Sequence, residues 1–223
     1  RVLPKDFKRS RNLRLGDATT RQLVDNLSSP NAWIRETSSR LLFERRDVRA
    51  VSFLGQKLAK DSSHLGRLHA IHALAGLGKL KPAQILTAFA DDHPVVREHA
   101  IRLAEPFLKQ KHSEEMARAL LALSKDSSVP VRFQLALSLG ILKVQGEVDA
   151  LLDLLGKHPE DPWLKPAVVS ALSTQSEQAF AHLKKREADP GQVLTLAREM
   201  QRKGSGLAGC SPEILEYVKL ASL

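Results

Sequence analysis

The chain holds one cysteine, Cys210, in 223 residues. That excludes an internal disulfide and a thiolate cage around a metal. Aromatic residues amount to 4%, too few for most all-β cores, and no strings of Val, Ile, Thr and Tyr announce strands. No apolar run approaches the roughly 18 residues that cross a bilayer, and no charged start leading into an apolar core resembles an export signal. A phosphate-cradling glycine loop, a Ser/His/Asp arrangement, a recognisable pair of catalytic acids and a haem-attaching C-x-x-C-H are all missing. What remains is a soluble all-α protein without catalytic machinery or cofactor of its own. The first residue is Arg1 rather than Met, so the chain is expected to be a processed or excised piece of a longer protein.

Leu and Ala carry the apolar content, which stands at 43% hydrophobic against 26% charged residues, and both favour helix. The formal net charge of +9 is unevenly placed. Residues 1–14 hold Arg1, Lys5, Lys8, Arg9, Arg11 and Arg14 against Asp6, a net of +5, so the remaining 209 residues carry +4. That is a mixed-sign surface rather than a stripe along a phosphate backbone, so nucleic acid is not the expected partner. Protein is.

A period is visible. Arg35, Arg67, Arg97 and Arg132, with Lys165 in the fifth place, each open an apolar-periodic segment. Asp61, Asp91 and Asp126 stand six residues before the middle three arginines, with Ser29 and Pro159 in the outer places. Spacings in the thirties in helical sequence mean stacked hairpins. Turn residues such as Ser29-Pro30-Asn31, Asp92-His93-Pro94 and Ser128-Val129-Pro130 start the second helix of each unit. The pattern predicts helices over 18–27 and 31–45, 48–59 and 64–77, 82–89 and 94–108, 113–125 and 129–142, 146–156 and 161–173, and 176–187 and 190–202. A further helix follows Ser211-Pro212. Gly78, Gly140 and Gly156 fall where C-caps are expected. The domain reading is an extended basic leader over 1–17, anchored by Leu13 and Leu15, then repeats over 18–203. A glycine-rich break, expected to be mobile, and a capping helix occupy 204–223.

The repeated Asp in the turn and Arg at the second helix resemble the HEAT family, in which the two residue types form a ladder between neighbouring units. The resemblance implies an all-α right-handed superhelix, a HEAT-like solenoid of about six hairpins. The stretches Leu23 to Glu44, Arg67 to Gly78, Val96 to Glu105 and Val131 to Gly140 are similar to the repeats of the large membrane-bound dehydrogenases of planctomycetes and verrucomicrobia. In those proteins the repeats stand between a β-propeller and a c-type cytochrome domain. This chain has neither. The resemblance therefore implies a non-catalytic spacer or docking domain of an exported, periplasmic parent, and no catalytic residue or haem ligand is carried over.

Two columns on the second helices are the candidate binding residues: Arg40, His72 and Arg102 five places after the ladder arginine, and His69, His99 and Gln134 two places after it. In HEAT solenoids these helices line the concave side. His69, His72 and His99 are the tempting metal cluster, but neighbouring second helices lie about 8–10 Å apart and no fourth ligand is evident, so no metal is expected. The structural set is Asp61, Arg67, Asp91, Arg97, Asp126 and Arg132, read as Asp–Arg pairs. Trp33 and Trp163 are similar to the aromatics of HEAT-like DNA glycosylases, a cytoplasmic alternative, but lie four repeats apart and cannot flank one base. A HEAT-type lyase subunit acting on a tetrapyrrole is the third reading.

Overall fold

In the computed structural model, residues 14–109, 114–142, 144–158, 161–202, 207 and 210–222 are described. Most of the basic leader, including Leu13, and most of the glycine-rich break lie outside the described residues. The described residues form helices and no strand. In chain order they are α1 (Thr20–Asp25), α2 (Ala32–Arg45), α3 (Ala50–Lys60), α4 (His64–Gly76), α5 (Pro82–Phe89), α6 (Pro94–Lys109) and α7 (Glu114–Ala122). There follow α8 (Val129–Ile141), α9 (Glu147–Lys157), α10 (Leu164–Leu172), α11 (Ser176–Lys185), α12 (Pro190–Arg202) and α13 (Pro212–Leu220). Helical periodicity located all of them. Three end in a tighter 3-10 turn, at Asn26–Ser28, Leu123–Lys125 and Ser173–Gln175, which brings the chain into the next element within a few residues. Helix α10 starts three residues later than predicted, because the Asp161 carboxylate caps the Trp163 and Leu164 amides at 3.0 and 2.9 Å.

The chain divides into two compact units, Arg1–Gln84 and Ile85–Leu223. In the N-terminal unit the first helices α1 and α3 pack together, as do the second helices α2 and α4, and each hairpin closes on itself. Its core is Leu23, Leu27, Leu42, Leu54, Ile71 and Leu74, all fully buried. Thr19 opens α1 with a reciprocal capping box to Gln22. Leu15, in a short 3-10 turn before it, is buried as the anchoring role requires. Arg45 clamps that turn by donating to the Gly16 carbonyl at 2.6 Å.

The two hairpins of this unit are tied by a buried knot. Ser28 Oγ donates to Asp61 Oδ2 at 2.7 Å, and Lys57 Nζ donates to both, at 2.6 Å to Ser28 and 2.5 Å to Asp61. Gly66 makes room for it: a Cβ there would lie 2.3 Å from Ser28 Oγ and 2.9 Å from Asp61 Cγ.

In the C-terminal unit the second helices α6, α8, α10 and α12 pack in sequence, and α9, α11 and α13 do so on the other side of the hairpins. Leu135, Leu139, Leu151, Leu154, Val168 and Phe180 are fully buried between the two rows. Here the expected glycine caps are corrected. Only Gly78, in the N-terminal unit, ends a helix, with φ +66° and the Lys79 amide bonded back to the Leu74 carbonyl at 2.8 Å. Gly140 lies inside α8, where a Cβ would sit 3.0 Å from the Ala171 Cβ of α10, and Gly156 lies inside α9 against Gln192. Close helix approach, rather than chain reversal, calls for glycine at Gly140, whereas at Gly156 a Cβ would meet the end of the Gln192 side chain. Among the described residues no helix is long and apolar enough to cross a membrane.

Helix propensity alone favours Gly66→Ala by about 1 kcal/mol. The knot reverses that sign: the substitution lowers stability by about 1–2 kcal/mol, an overpacking cost, and urea melting of the purified variant measures it.

Candidate functional site

The four ladder arginines make one bond in common. Nη1 of Arg35, Arg67, Arg97 and Arg132 donates to the backbone carbonyl six residues earlier, that of Ser29, Asp61, Asp91 and Asp126, at 2.7 Å in every case. Within a repeat these bonds go to the main chain of the turn and not to the side chain of its aspartate. The within-repeat link uses the main chain, which every residue has, and this is why serine serves in the first repeat. The aspartate side chain does two other things. Its Oδ1 accepts the amide two residues on, from Ser63, His93 and Ser128 at 2.7 to 2.8 Å, and so fixes the turn. Asp61 and Asp126 also reach the preceding repeat. Asp61 takes Ser28, as described, and Asp126 takes Arg97 through a bidentate pair, Nε to Oδ2 at 2.7 Å and Nη2 to Oδ1 at 2.8 Å.

These contacts set the electrostatics. Burial pushes the Asp126 carboxyl up, but Arg97 and the Ser128 amide outweigh it and hold the group below its ordinary value. Asp61 is likewise pushed up by burial and brought down on balance by Lys57, Ser28 and Ser63. The column is not uniform. Arg35 turns its Nε to His69 Nε2 at 3.4 Å. Arg132 is 6% exposed and its buried Nε has no hydrogen-bond partner. Asp161, placed as far beyond Arg132 as Asp126 is beyond Arg97, gives its Oδ1 to the start of α10 instead.

On the second-helix face, Arg40, His69 and His72 line one groove of about 390 Å³ between α2 and α4, together with Glu36 and Phe43. Arg40 is exposed and pairs loosely with Glu44 at 3.7 Å. His69 and His72 are half-buried. Burial, and then the Arg35 guanidinium, depress the His69 pKa, so its ring is neutral and offers Nε2 as an acceptor. In the C-terminal unit Arg102 is exposed on α6 and His99 half-buried beside it. Burial and Arg102 lower the His99 pKa against the opposing pull of Glu98.

Gln134 departs from the expectation of a binding residue, being 5% exposed. It accepts from Arg102 Nη2 at 2.7 Å and donates to Ser138 Oγ at 3.1 Å, and the Ser138 hydroxyl donates to Glu105 Oε1 at 2.7 Å. It is the covered middle of a polar chain between α6 and α8, because α8 is flanked on both sides by second helices. Trp33 and Trp163 are 57% and 73% exposed, each at the start of its helix. Among the described residues no three His, Cys, Asp or Glu side chains gather as metal ligands.

One cluster escaped the sequence reading. Asp149 of α9 meets His182 Nδ1 at 2.9 Å and Arg186 Nη2 at 2.5 Å, while Arg186 Nη1 bonds Asp153 at 2.9 Å. The signal was present: two acids four apart, then two bases four apart one repeat later, which puts each pair on one helix face. All four side chains are roughly 40% exposed, and the cluster ties first helices of successive repeats.

The Arg97–Asp126 pair is partly buried, so Arg97→Ala costs about 1–3 kcal/mol in urea melting. Its pH dependence has a definite sign. The folded state holds Asp126 below the ordinary 3.8, so its contribution is complete above that pH and vanishes as pH falls through the depressed value. The stability gap between the wild type and Asp126→Asn therefore narrows from neutral pH towards pH 3.

The family profile described as HEAT repeats matches residues 20–105 and, overlapping, 89–173. Comparison with curated proteins finds no match.

Proposed function

Because the chain belongs to the HEAT-repeat family over residues 20–173, we propose that it is a non-catalytic scaffold that docks protein partners on its second-helix face. The observation that carries this reading is the fate of its cations. Each ladder arginine is used in a 2.7 Å bond to its own turn, whereas Arg40 and Arg102 stand exposed on the second helices. Charges spent on rigidity, next to others left at a surface, are the division of labour of an interaction module. The finer reading rests on the resemblance of the repeats: the chain spaces a β-propeller from a c-type cytochrome domain in an exported dehydrogenase.

The gene on either side of this segment tests the parent. Propeller-coding sequence before Arg1 and a C-x-x-C-H beyond Leu223 support it, and a start codon and a stop codon at those points contradict it. The surface is tested by titrating the purified neighbouring domains against the chain by calorimetry. Arg40→Glu weakens the association about tenfold while melting is unchanged, and Arg102→Glu weakens it similarly but also lowers melting, because it removes the bond to Gln134. Binding indifferent to both substitutions contradicts the second-helix assignment.

A further inference from the structure

The overall charge conceals a division between the two units. Residues 18–84 carry 11 Lys and Arg against 5 Asp and Glu, a net of +6, whereas residues 85–223 carry 17 against 18, a net of −1. Leaving the leader aside, the basicity belongs to the N-terminal unit. Within it, five cations cluster on two short loops. Arg45, Arg46 and Arg49 lie at the passage from α2 to α3, Lys79 and Lys81 at the passage from α4 to α5, and all five are exposed. Asp47 is the one carboxylate among them. Arg49 at 2.8 Å and Thr20 both engage it, and their bonds hold it far below the usual carboxylate range.

The two loops enclose a cleft of about 360 Å³, within the range of small ligand sites. Its apolar walls are Val48, Val51 and Leu77, and Arg46 and Lys79 stand at its rim. Val48 is 74% exposed, a large apolar side chain held in solvent between two arginines. The backbone is set for this shape. Arg46 adopts the left-handed conformation at φ 48° and Gly78 at φ +66°, so both second helices stop abruptly and open the gap between their ends. Arg46 also lies over the Phe43 ring, 5.8 Å from its centroid, which limits where its guanidinium can go.

We propose that this edge of the N-terminal unit docks an acidic protein segment with an apolar anchor. The anchor enters the cleft against Val48, Val51 and Leu77, and flanking Asp or Glu side chains pair with Arg46 and Lys79. This site lies at the loop edge, apart from Arg40, His69 and His72, and it holds whichever parent protein the chain comes from. Three features select a peptide over other polyanions. A nucleic-acid groove offers cations with aromatic platforms for bases, and no aromatic residue lines this cleft. A membrane-binding edge presents a row of protruding apolar wedges, whereas here Val48 alone protrudes and Val51 and Leu77 are half-buried. Recessed apolar walls with a cationic rim match an acidic motif with an anchor residue.

The test uses the full chain and a fluorescein-labelled peptide, Asp-Asp-Glu-Leu-Glu-Asp-Asp, followed by anisotropy at low salt. Lys79→Glu and Arg46→Glu each weaken binding about tenfold. Lys60→Glu, an equal charge change at the exposed end of α3 in the same unit, leaves it within about twofold. Replacing the peptide's Leu by Ala also weakens binding, and thermal melting of each variant confirms that it folds. Three results overturn the proposal: no binding, equal losses for Lys60→Glu and Lys79→Glu, or indifference to the Leu. So does tighter binding of a single-stranded oligonucleotide, or of phosphatidylserine vesicles, with the same dependence on Arg46 and Lys79.

Discussion

The structure depends first on one bond, the guanidinium of a second-helix arginine held at 2.7 Å by the carbonyl that ends its own turn. A helical hairpin buries its apolar faces equally well over a range of rotations, since hydrophobic contact is non-directional. A charge-assisted bond to a fixed carbonyl removes that freedom: it sets the angle between turn and helix and leaves the remaining guanidinium nitrogens facing the next repeat. Nearest-neighbour arrays need such a device, because each repeat is stabilised only by those beside it. Where the following aspartate is in place, as at Arg97 and Asp126, the same side chain spans two repeats.

The rungs differ, and the differences locate where each unit is rigid. The first junction of the N-terminal unit relies on Ser28, Lys57 and Asp61 packed over Gly66. In the C-terminal unit the Arg97 rung is complete, the Arg132 rung leaves a buried nitrogen unpaired, and the approach of Gly140 to Ala171 brings α8 onto α10 there. Further on, the tie moves to the first helices, through Asp149, His182 and Arg186. Polar fastening thus changes partner along the chain while apolar packing continues.

Much of this was legible in the sequence, for identifiable reasons. Helix positions follow from three- and four-residue apolar steps and from capping residues, which are local. The arginine column was visible because its spacing is regular, whereas its bond to the main chain of the turn was not, since sequence patterns display side chains. Gly140 and Gly156 look like caps by position alone. Only the nearness of α10 reveals the role of Gly140. Gln134 shares a column with His69 and His99 but is covered by its neighbours, a tertiary effect that no column registers. The Asp149–His182 cluster lies on first helices, off the arginine column, so the regularity that marks the repeats does not mark it, although its four-residue spacing is in the sequence.

Double-mutant cycles on Arg97 test the account most directly. If the guanidinium binds the following repeat through the Asp126 carboxylate and its own turn only through a carbonyl, truncating Arg97 and Asp126 to Ala couples by about 1–3 kcal/mol. The cycle of Arg97 with Asp91 couples by less than about 0.5 kcal/mol. Equal coupling in the two cycles, or a larger value with Asp91, would show that the arginine reads the side chain of its own turn, and the account would be wrong.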